Sequence, residues 1–198
     1  MIAILDYGAG NLRSVQNTLD EIGASYRVVR DAAGLAAAPK IILPGVGHFG
    51  QMMRALDDLR VRSALVDRIG SGVPFLGICL GLHAFYQGST EAPEEKGLGI
   101  FPGTVERFHA DARVPHMGWN SLVPTKPSKL LRNLGTDPYV YFAHSYFVPP
   151  NEQTAAITEY TVPYTSVIEW ENVYGVQFHP EKSGPVGLAI VRNFVELA

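Results

Sequence analysis

The sequence has little of three things that would narrow its class: cysteine, basic charge and long apolar runs. Its 198 residues include one cysteine, and 16 Lys and Arg stand against 19 Asp and Glu, for a formal net charge of −3. One cysteine excludes an internal disulfide framework and favours a reducing cytoplasm. Without a basic excess, we expect no nucleic-acid partner. No apolar run approaches the length that spans a bilayer, so we expect no membrane partner either.

Short apolar runs alternate with amphipathic stretches in the first half of the chain. The N-terminus, MIAILDYGAGN, lacks the basic region and cleavage-site pattern of a signal peptide and is expected to form a buried strand. The predicted strands of this half are 2–5, 26–29, 40–45 and 73–79. The predicted helices are 11–23, 52–72 and 80–89. Strands that are apolar throughout and alternate with helices are typical of a parallel sheet covered on both faces, which predicts an α/β fold.

The second half has a different texture. It contains mainly strand-like runs, such as TAAITEYT and NVYGVQF, and it closes with a helical pattern at 184–198. We expect some of these later strands to be antiparallel. Because no linker or internal repeat divides the chain, residues 1–198 are expected to form a single domain whose mixed, mostly parallel sheet is flanked by helices.

The one cysteine, Cys79, lies between Gly77 and Gly81 at a predicted strand-to-helix junction. A nucleophile elbow needs such a tight turn with small neighbours. The helix N-terminus favours thiolate over thiol, and the backbone N–H of Leu80 can stabilise an oxyanion. A lone cysteine is more often a small buried hydrophobic residue. Here the flanking glycines and the preceding strand favour a nucleophile.

A thiolate nucleophile needs a base, and the histidines available are His48, His83, His109, His116, His144 and His179. His179 is distinctive because it ends the apolar run YGVQFH, precedes a proline and has Glu181 two residues further on. A carboxylate beside an imidazole can hold its tautomer and orientation. A lone histidine at a strand end is more often structural. A cysteine, a histidine and a glutamate that all follow strands indicate a catalytic triad.

Two other kinds of site are less favoured. DYGAGNLR carries Gly8 and Gly10 after a strand, but Arg13 stands at the third glycine position, so the dinucleotide fingerprint is incomplete. Cys79 and the histidines lack the paired spacing of metal ligands. We therefore expect no cofactor and no metal.

Taken together, the motifs resemble those of class I (triad) glutamine amidotransferases. DYGAGNLRSV, LPGVGHFG, GICLGL, GLGIFPG, VPHMGWN, YFAHSY and GVQFHPEKS occur in order, and the resemblance runs from residue 2 to the end. Within the class, these segments are most similar to the glutaminase subunits of imidazole glycerol phosphate synthases, which act in histidine biosynthesis. The resemblance implies a flavodoxin-like α/β architecture and hydrolysis of glutamine to glutamate and ammonia.

The resemblance also implies residue roles. Cys79 would attack the side-chain amide of glutamine, His179 would pass its proton to the departing ammonia, and Glu181 would orient His179. The implied oxyanion residues are Leu80, Gly45, Val46 and Gly47. Because glycine lets a peptide reorient easily, the oxyanion hole that these residues form can remain unformed until a partner subunit has bound its own ligand. The implied substrate-binding residues are His83, Glu91, His144, Ser145 and Tyr146.

The partner that the resemblance implies is a cyclase subunit with a (β/α)8-barrel fold, joined in a heterodimer. Ammonia made at Cys79 would pass through the cyclase without escaping to water. The implied interface residues are Asn11, Pro115, Met117, Trp119, Tyr141 and Lys182. Trp119 can alternatively be a core residue, since a large aromatic side chain is usually buried.

One position departs from the family pattern. His83 stands where the family usually has a glutamine that contacts the substrate, and a histidine there is bulkier and titratable. Three outcomes follow: adequate replacement, weaker and pH-dependent glutamine binding, or a docking and regulatory subunit that hydrolyses poorly. Other readings are a cysteine hydrolase of another amide, a non-catalytic gating module, and the glutaminase subunit of a related amidotransferase that acts on a sugar.

Overall fold

The chain folds around one eight-stranded sheet in the computed structural model, which describes residues 1–8, 11–109 and 112–197. The strands of the described residues are β1 Ile2–Leu5, β2 Tyr26–Val29, β3 Lys40–Gly45, β4 Phe75–Cys79, β5 Gly88–Ser89, β6 Thr104–Arg107, β7 His116–Ser121, β8 Val123–Pro124, β9 Tyr139–His144, β10 Tyr146–Phe147, β11 Thr154–Glu159, β12 Pro163–Trp170 and β13 Val173–Val176. The helices are α1 Leu12–Glu21, α2 Ala32–Ala36, α3 Phe49–Asp58, α4 Arg62–Gly70, α5 Leu80–His83 and α6 Gly184–Val195, and a 3₁₀ turn spans Pro180–Lys182.

The large sheet has the strand order β2-β1-β3-β4-β13-β12-β11-β8. Its first five strands in that order pair in parallel. The last three join it through antiparallel pairs. The prediction of a mixed, mostly parallel sheet is therefore confirmed. Because β13 of the C-terminal half pairs with β4 of the N-terminal half, both halves share this sheet. Two small sheets, β10-β6-β5 and β7-β9, complete the strand pairings.

The sheet separates two hydrophobic cores, as β1 illustrates. Ala3 and Leu5 belong to the core that includes residues of α3 and α4. Ile2 and Ile4 belong to the other core, with residues of α1 and α6. Successive side chains of a strand point to opposite faces, so a strand between two cores must be apolar at every position. This is the physical reason for the uninterrupted apolar run at the start of the chain.

The predicted helix 52–72 is instead two helices, α3 and α4, separated by residues 59–61. Arg60 in this break has φ 55°, a left-handed conformation that ends a helix. The N–H of Val61 then donates to the carbonyl of Leu56 at 3.0 Å. The break contains neither glycine nor proline, so the hydrophobic pattern of the sequence runs through it without a signal.

The predicted helix 80–89 ends at His83. The carbonyls of Ala84 and Phe85 accept hydrogen bonds from backbone N–H groups of residues 98–101, at 2.7 and 3.0 Å. These bonds to a distant loop replace the helical pattern, and the chain continues into β5, which pairs with β6. A periodic sequence pattern gives no sign of these competing long-range hydrogen bonds.

α2 is a short helix of five residues. α2 was not predicted, although Asp31 gives a usable signal, because its side chain accepts a hydrogen bond from the Gly34 N–H at 2.7 Å as an N-cap. Across residues 1–8, 11–109 and 112–197, no helix has both the length and the apolar character needed to cross a membrane.

Candidate active site

The chain makes a tight turn at Cys79, where β4 gives way to α5. The backbone of Cys79 has φ 52° and ψ −107°, a region that residues other than glycine rarely occupy. A conformation of this kind costs on the order of 1–3 kcal/mol and persists only where the surroundings enforce it. The elbow predicted from the flanking glycines is therefore present, with a strain that the sequence did not reveal. Because α5 is only four residues long, the predicted help from a helix dipole is small.

The glycines around the elbow are required by close backbone contact. A Cβ on Gly81 would overlap the carbonyl oxygen of Leu43 in β3, and one on Gly77 would lie 2.6 Å from the carbonyl carbon of Gly81. Gly45 is also part of this packing, because its own Cβ would overlap the Gly81 nitrogen. The three glycines let the elbow lie directly against β3.

His179 and Glu181, proposed members of the triad, contact each other. The Nδ1 of His179 is 2.9 Å from Oε1 of Glu181, and Nδ2 of Asn11 donates to the same oxygen at 3.2 Å. Burial alone would lower the pKa of His179, but hydrogen bonds to Cys79 and Glu181 outweigh it and raise the pKa to about 10. The imidazole therefore holds a proton at neutral pH. The backbone N–H of His179 donates to the Tyr141 carbonyl at 2.9 Å, which fixes the backbone at this point.

A cavity of about 200 Å³ opens over Cys79. Most of the residues predicted for substrate and oxyanion binding line it together. The lining residues are Val46, Gly47, Cys79, Leu80, His83, Glu91, Pro115, Met117, Ala143, His144, Ser145, Tyr146 and His179. Glu181 lies behind His179 and not at the cavity wall. Gly45 does not line the cavity either: it pairs with Cys79 inside the sheet, and Val46 and Gly47 form the exposed part of that loop.

Two of the substrate-binding candidates are already engaged by the protein. Oε2 of Glu91 accepts a hydrogen bond from the Phe49 N–H at 2.8 Å, at the first residue of α3. Nδ1 of His144 is 2.9 Å from the carbonyl oxygen of Tyr146. Because a carbonyl only accepts, this nitrogen carries the proton. Burial lowers the pKa of His144 well below its ordinary value, so the ring is neutral.

Sequence reasoning missed two residues behind His144. His116 Nδ1 lies 3.3 Å from His144 Nε2, and the hydroxyl of Tyr164 lies 3.2 and 3.3 Å from these two nitrogens. His116 is buried and its ring stacks on Tyr160 at 4.0 Å. The motif VPHMGWN contains His116, but no spacing in the sequence connects it to Tyr164.

His83, the departure from the family pattern, is buried at the cavity wall. Its Nε2 lies 2.7 Å from Oε1 of Gln177, a residue that sequence reasoning also missed. Nε2 of Gln177 in turn lies 3.8 Å from Sγ of Cys79. Burial lowers the pKa of His83 to about 4, against the opposing effect of the Gln177 hydrogen bond, so the ring is neutral near pH 7.

Two of the predicted interface residues, Pro115 and Met117, line the cavity. Met117 is 64% exposed and Trp119 is 55% exposed on β7, so Trp119 is not a core residue. Trp119 is opposite Tyr141 of β9, with ring centroids 6.1 Å apart. Lys182 places its ammonium 6.0 Å from the Tyr141 ring. The discounted nucleotide motif cannot be placed in full, because its Gly10 lies outside the described residues.

Comparison with known proteins identifies the family whose sequences this chain resembles. The family model of glutamine amidotransferase class-I matches residues 3–197. The imidazole glycerol phosphate synthase subunit HisH of Methanothermobacter thermautotrophicus is 48% identical over 198 residues, which cover 100% of this chain and 98% of that protein. The subunit HisH of Desulfitobacterium hafniense (strain Y51) is 46% identical over 196 residues, 98% of this chain and 93% of that protein.

Solved structures share the fold at lower identity. A crystal structure of a glutamine amidotransferase superposes with a TM-score of 0.76 at 19% identity, covering 98% of this chain and 97% of that chain. PurLQS from Thermotoga maritima superposes with a TM-score of 0.72 at 18% identity, covering 98% of this chain and 96% of that chain. At such identity the likeness concerns the fold alone.

Proposed function

Because the chain belongs to the class I glutamine amidotransferases, and among them to the HisH subunits of imidazole glycerol phosphate synthase, we propose that it hydrolyses glutamine to glutamate and ammonia and delivers the ammonia to a partner subunit in histidine biosynthesis. One observation carries the proposal: the only thiol lies at a strained elbow in a cavity, beside a histidine whose other nitrogen is 2.9 Å from a buried carboxylate. This is the arrangement of an activated cysteine nucleophile.

In the first half of the reaction, the Cys79 thiolate attacks the side-chain amide carbon of glutamine. The oxyanion that forms is held by the N–H of Leu80 and by the loop of Val46 and Gly47. His179, which is protonated at neutral pH, gives its proton to the amide nitrogen as the C–N bond breaks and ammonia leaves. The product of this step is a glutamyl thioester on Cys79.

In the second half, neutral His179 takes a proton from water, and the resulting hydroxide attacks the thioester carbon. The C–S bond breaks, glutamate is released and Cys79 returns to the thiolate. Glu181 keeps the imidazole oriented throughout and stabilises its charged form. The substrate itself would contact the cavity wall formed by Glu91 and residues 144–146.

The partner we propose is a cyclase with a (β/α)8-barrel fold that binds one copy of this chain. The exposed side chains of Met117 and Trp119, which lie at the cavity mouth or beside it, support a docking surface there. Exposed aromatic residues next to an active site are suited to become interface hot spots. Asn11, Tyr141 and Lys182 form the side of this surface nearest Glu181 and His179. A single thiol that serves as nucleophile suits a reducing compartment, so we place the protein in the cytoplasm.

Two alternatives are less well supported. A purely regulatory docking subunit would not need a cysteine in a strained backbone conformation or a carboxylate paired with His179. A glutaminase that serves a sugar-modifying enzyme would have the same site, but the relatives reported above are subunits of imidazole glycerol phosphate synthase.

The test measures glutamate release from glutamine by the chain alone, with the cyclase, and with the cyclase bound to its ribonucleotide ligand. We expect release to increase by at least about tenfold with the loaded cyclase and to vanish in Cys79→Ala. Trp119→Ala should need more cyclase for half-maximal release, with an unchanged rate at saturation. No release by the folded protein under any condition would refute the glutaminase assignment. Release that ignores the cyclase would refute only the gated partnership.

A further inference from the structure

The side-chain amide of Gln177 lies between the nucleophile and His83. Its Nε2 is 3.8 Å from Sγ of Cys79, and its Oε1 is 2.7 Å from Nε2 of His83. Gln177 is fully buried and comes directly after β13, whose Val176 pairs with Ile78 of β4. Gln177 and Cys79 therefore follow paired positions of two adjacent parallel strands. The sheet itself sets the distance between the amide and the thiol.

The chemistry of these groups sets the direction of both hydrogen bonds. An amide oxygen only accepts, so Nε2 of His83 carries a proton and donates a hydrogen bond to Oε1 of Gln177. The ring is neutral because burial lowers the pKa of His83 to about 4. Its other nitrogen therefore accepts. With the amide oxygen turned to His83, the NH₂ group faces the Cys79 sulfur, and a thiolate accepts such a hydrogen bond more strongly than a thiol does.

Ionisable side chains from several elements lie near Cys79 and Gln177. Tyr7 follows β1, Tyr164 lies in β12 and His83 ends α5, and the groups that line the cavity with Cys79 also include Glu91, His144, Tyr146 and His179. Burial raises the pKa of Tyr7 to about 12 and raises that of Tyr164 as well, so both hydroxyls are neutral at neutral pH. His83 is neutral too. Among the groups of this cavity, His144 is neutral as well, the positive charge that favours the thiolate comes from His179, and Gln177 adds an uncharged donor.

We propose that His83 and Gln177 form a positioning relay, in which His83 fixes the orientation of the Gln177 amide and Gln177 donates a hydrogen bond to the Cys79 thiolate. The relay rests on the proposed role of Cys79 as nucleophile. It gives the histidine at position 83 a function toward the protein's own nucleophile, beyond any contact with glutamine. Neither His83 nor Gln177 transfers a proton to the substrate in this scheme.

The single cysteine makes the relay measurable without turnover. Alkylation of Cys79 by iodoacetamide, followed against pH, reports one thiol. Gln177→Met removes both polar atoms at similar volume. We expect the midpoint of the alkylation curve to rise by about one pH unit, which is about a tenfold loss of rate below the midpoint. With glutamine and the loaded partner, kcat should fall several-fold while KM changes little.

Substitutions of His83 provide an independent test of the relay. His83→Gln retains an N–H donor for the Gln177 oxygen and should keep the wild-type midpoint. His83→Leu removes the donor and should move the midpoint in the same direction as Gln177→Met. If Gln177→Met fails to fold, His83→Leu decides the question. The matched control is Gln153→Met, which changes another buried glutamine outside the cavity and should leave the midpoint unmoved.

A Gln177→Met protein that melts like the wild type and has the wild-type midpoint would overturn the relay. A variant in which only the plateau rate of alkylation changes would also overturn the relay. Such a change would report that repacking altered access to the sulfur and not its protonation. The proposed function fails separately. If the wild type releases no glutamate, yet its alkylation midpoint responds to Gln177→Met, the glutaminase assignment is lost and the relay stands.

Discussion

At the scale of single residues, the charge on Glu181 affects the protonation of His179. Oε1 of Glu181 accepts from both His179 and Asn11, so the carboxylate is held in one orientation. Its negative charge is one of the causes that raise the pKa of His179 to about 10. A protonated imidazole beside Cys79 suits the general-acid role that we propose for the step that releases ammonia.

Glu181→Gln tests this role of the charge. The substituted amide still offers an oxygen to His179, but the charge is gone, so the pKa of His179 should fall and less imidazolium should be present. We expect kcat for glutamate release to fall by about 10- to 100-fold with little change in KM. Steady-state kinetics with the loaded partner give both constants. Glu152→Gln, at an exposed position, is the control. A higher KM at unchanged kcat would contradict this account.

Residue types and order were enough to propose the triad, because a cysteine between glycines and a histidine two residues before a glutamate are local patterns. Gln177 could not be predicted as a partner of His83. The two residues are 94 positions apart, and they meet because β4 and β13 pair in the sheet. No local pattern of the sequence contains that pairing.

At the scale of elements, the elbow depends on how closely α5 can approach β3. Gly45 and Cys79 are opposite each other in the β3–β4 pair, and Gly81, the second residue of α5, lies against the Leu43 carbonyl of β3. Side chains at these glycines would overlap backbone atoms, which cannot move aside as a flexible side chain can. The strained conformation of Cys79 is therefore maintained by contact with the neighbouring strand.

Gly81→Ala should disrupt this contact. The added methyl would overlap the Leu43 carbonyl, and we expect a loss of about 3 kcal/mol or more in the free energy of unfolding, or no folded protein at all. Gly70→Ala is the matched control: a Cβ there meets nothing within 4 Å, and alanine at a helix end should stabilise by about 0.5 kcal/mol. Urea unfolding of both variants gives the comparison. Equal stability of the two would show that the elbow does not need this glycine.

Helix lengths show the limit of periodic patterns. The first helix and the last helix were predicted close to their observed bounds because each has an apolar stripe and a clear end. The long predicted helix 52–72 contains a break at Arg60, and the predicted helix 80–89 stops after one turn. In both places a long-range or backbone preference outweighs helical periodicity, and neither is visible in a window of the sequence.

At the scale of the whole molecule, buried neutral histidines make stability depend on pH. Burial lowers the pKa of His83 and His116 to about 4 and that of His144 well below its usual value. The unfolded chain binds protons at these sites below about pH 6.5, while the folded chain does not. Their effect is therefore a loss of stability as the pH falls from about 6.5 toward 4, with a slope of up to about 1.4 kcal/mol per pH unit for each histidine.

His116→Phe should reduce this dependence. Phenylalanine can keep the stacking on Tyr160 but binds no proton, so the loss of stability between about pH 7.5 and pH 5.5 should be smaller by about 1 kcal/mol than in the wild type. Urea unfolding at the two pH values gives the difference. The effect of His179 on stability has the opposite sign, because its raised pKa contributes stability below about pH 6.5 that is lost as the pH rises through about 10. Since the wild type and His116→Phe both retain His179, this effect is the same in the two proteins.

The control for this experiment is His109→Phe, since His109 is exposed and solvent reaches its ring in the folded chain. It should leave the pH dependence as in the wild type. An unchanged dependence in His116→Phe would mean that the buried ring accepts a proton without cost to the fold.

The sequence by itself determined the fold class and led to the proposal of Cys79 as nucleophile, His179 as base and Glu181 as orienting carboxylate, because each follows from short apolar runs and local motifs. It also indicated the glutamine amidotransferase family. Only the tertiary structure decided that Trp119 is exposed, that Gly45 supports the elbow and does not line the cavity, and that His83 bonds Gln177. The physical reason is the same in each case: these properties depend on which strands pair and which surfaces meet, and strand pairing joins residues far apart in the chain.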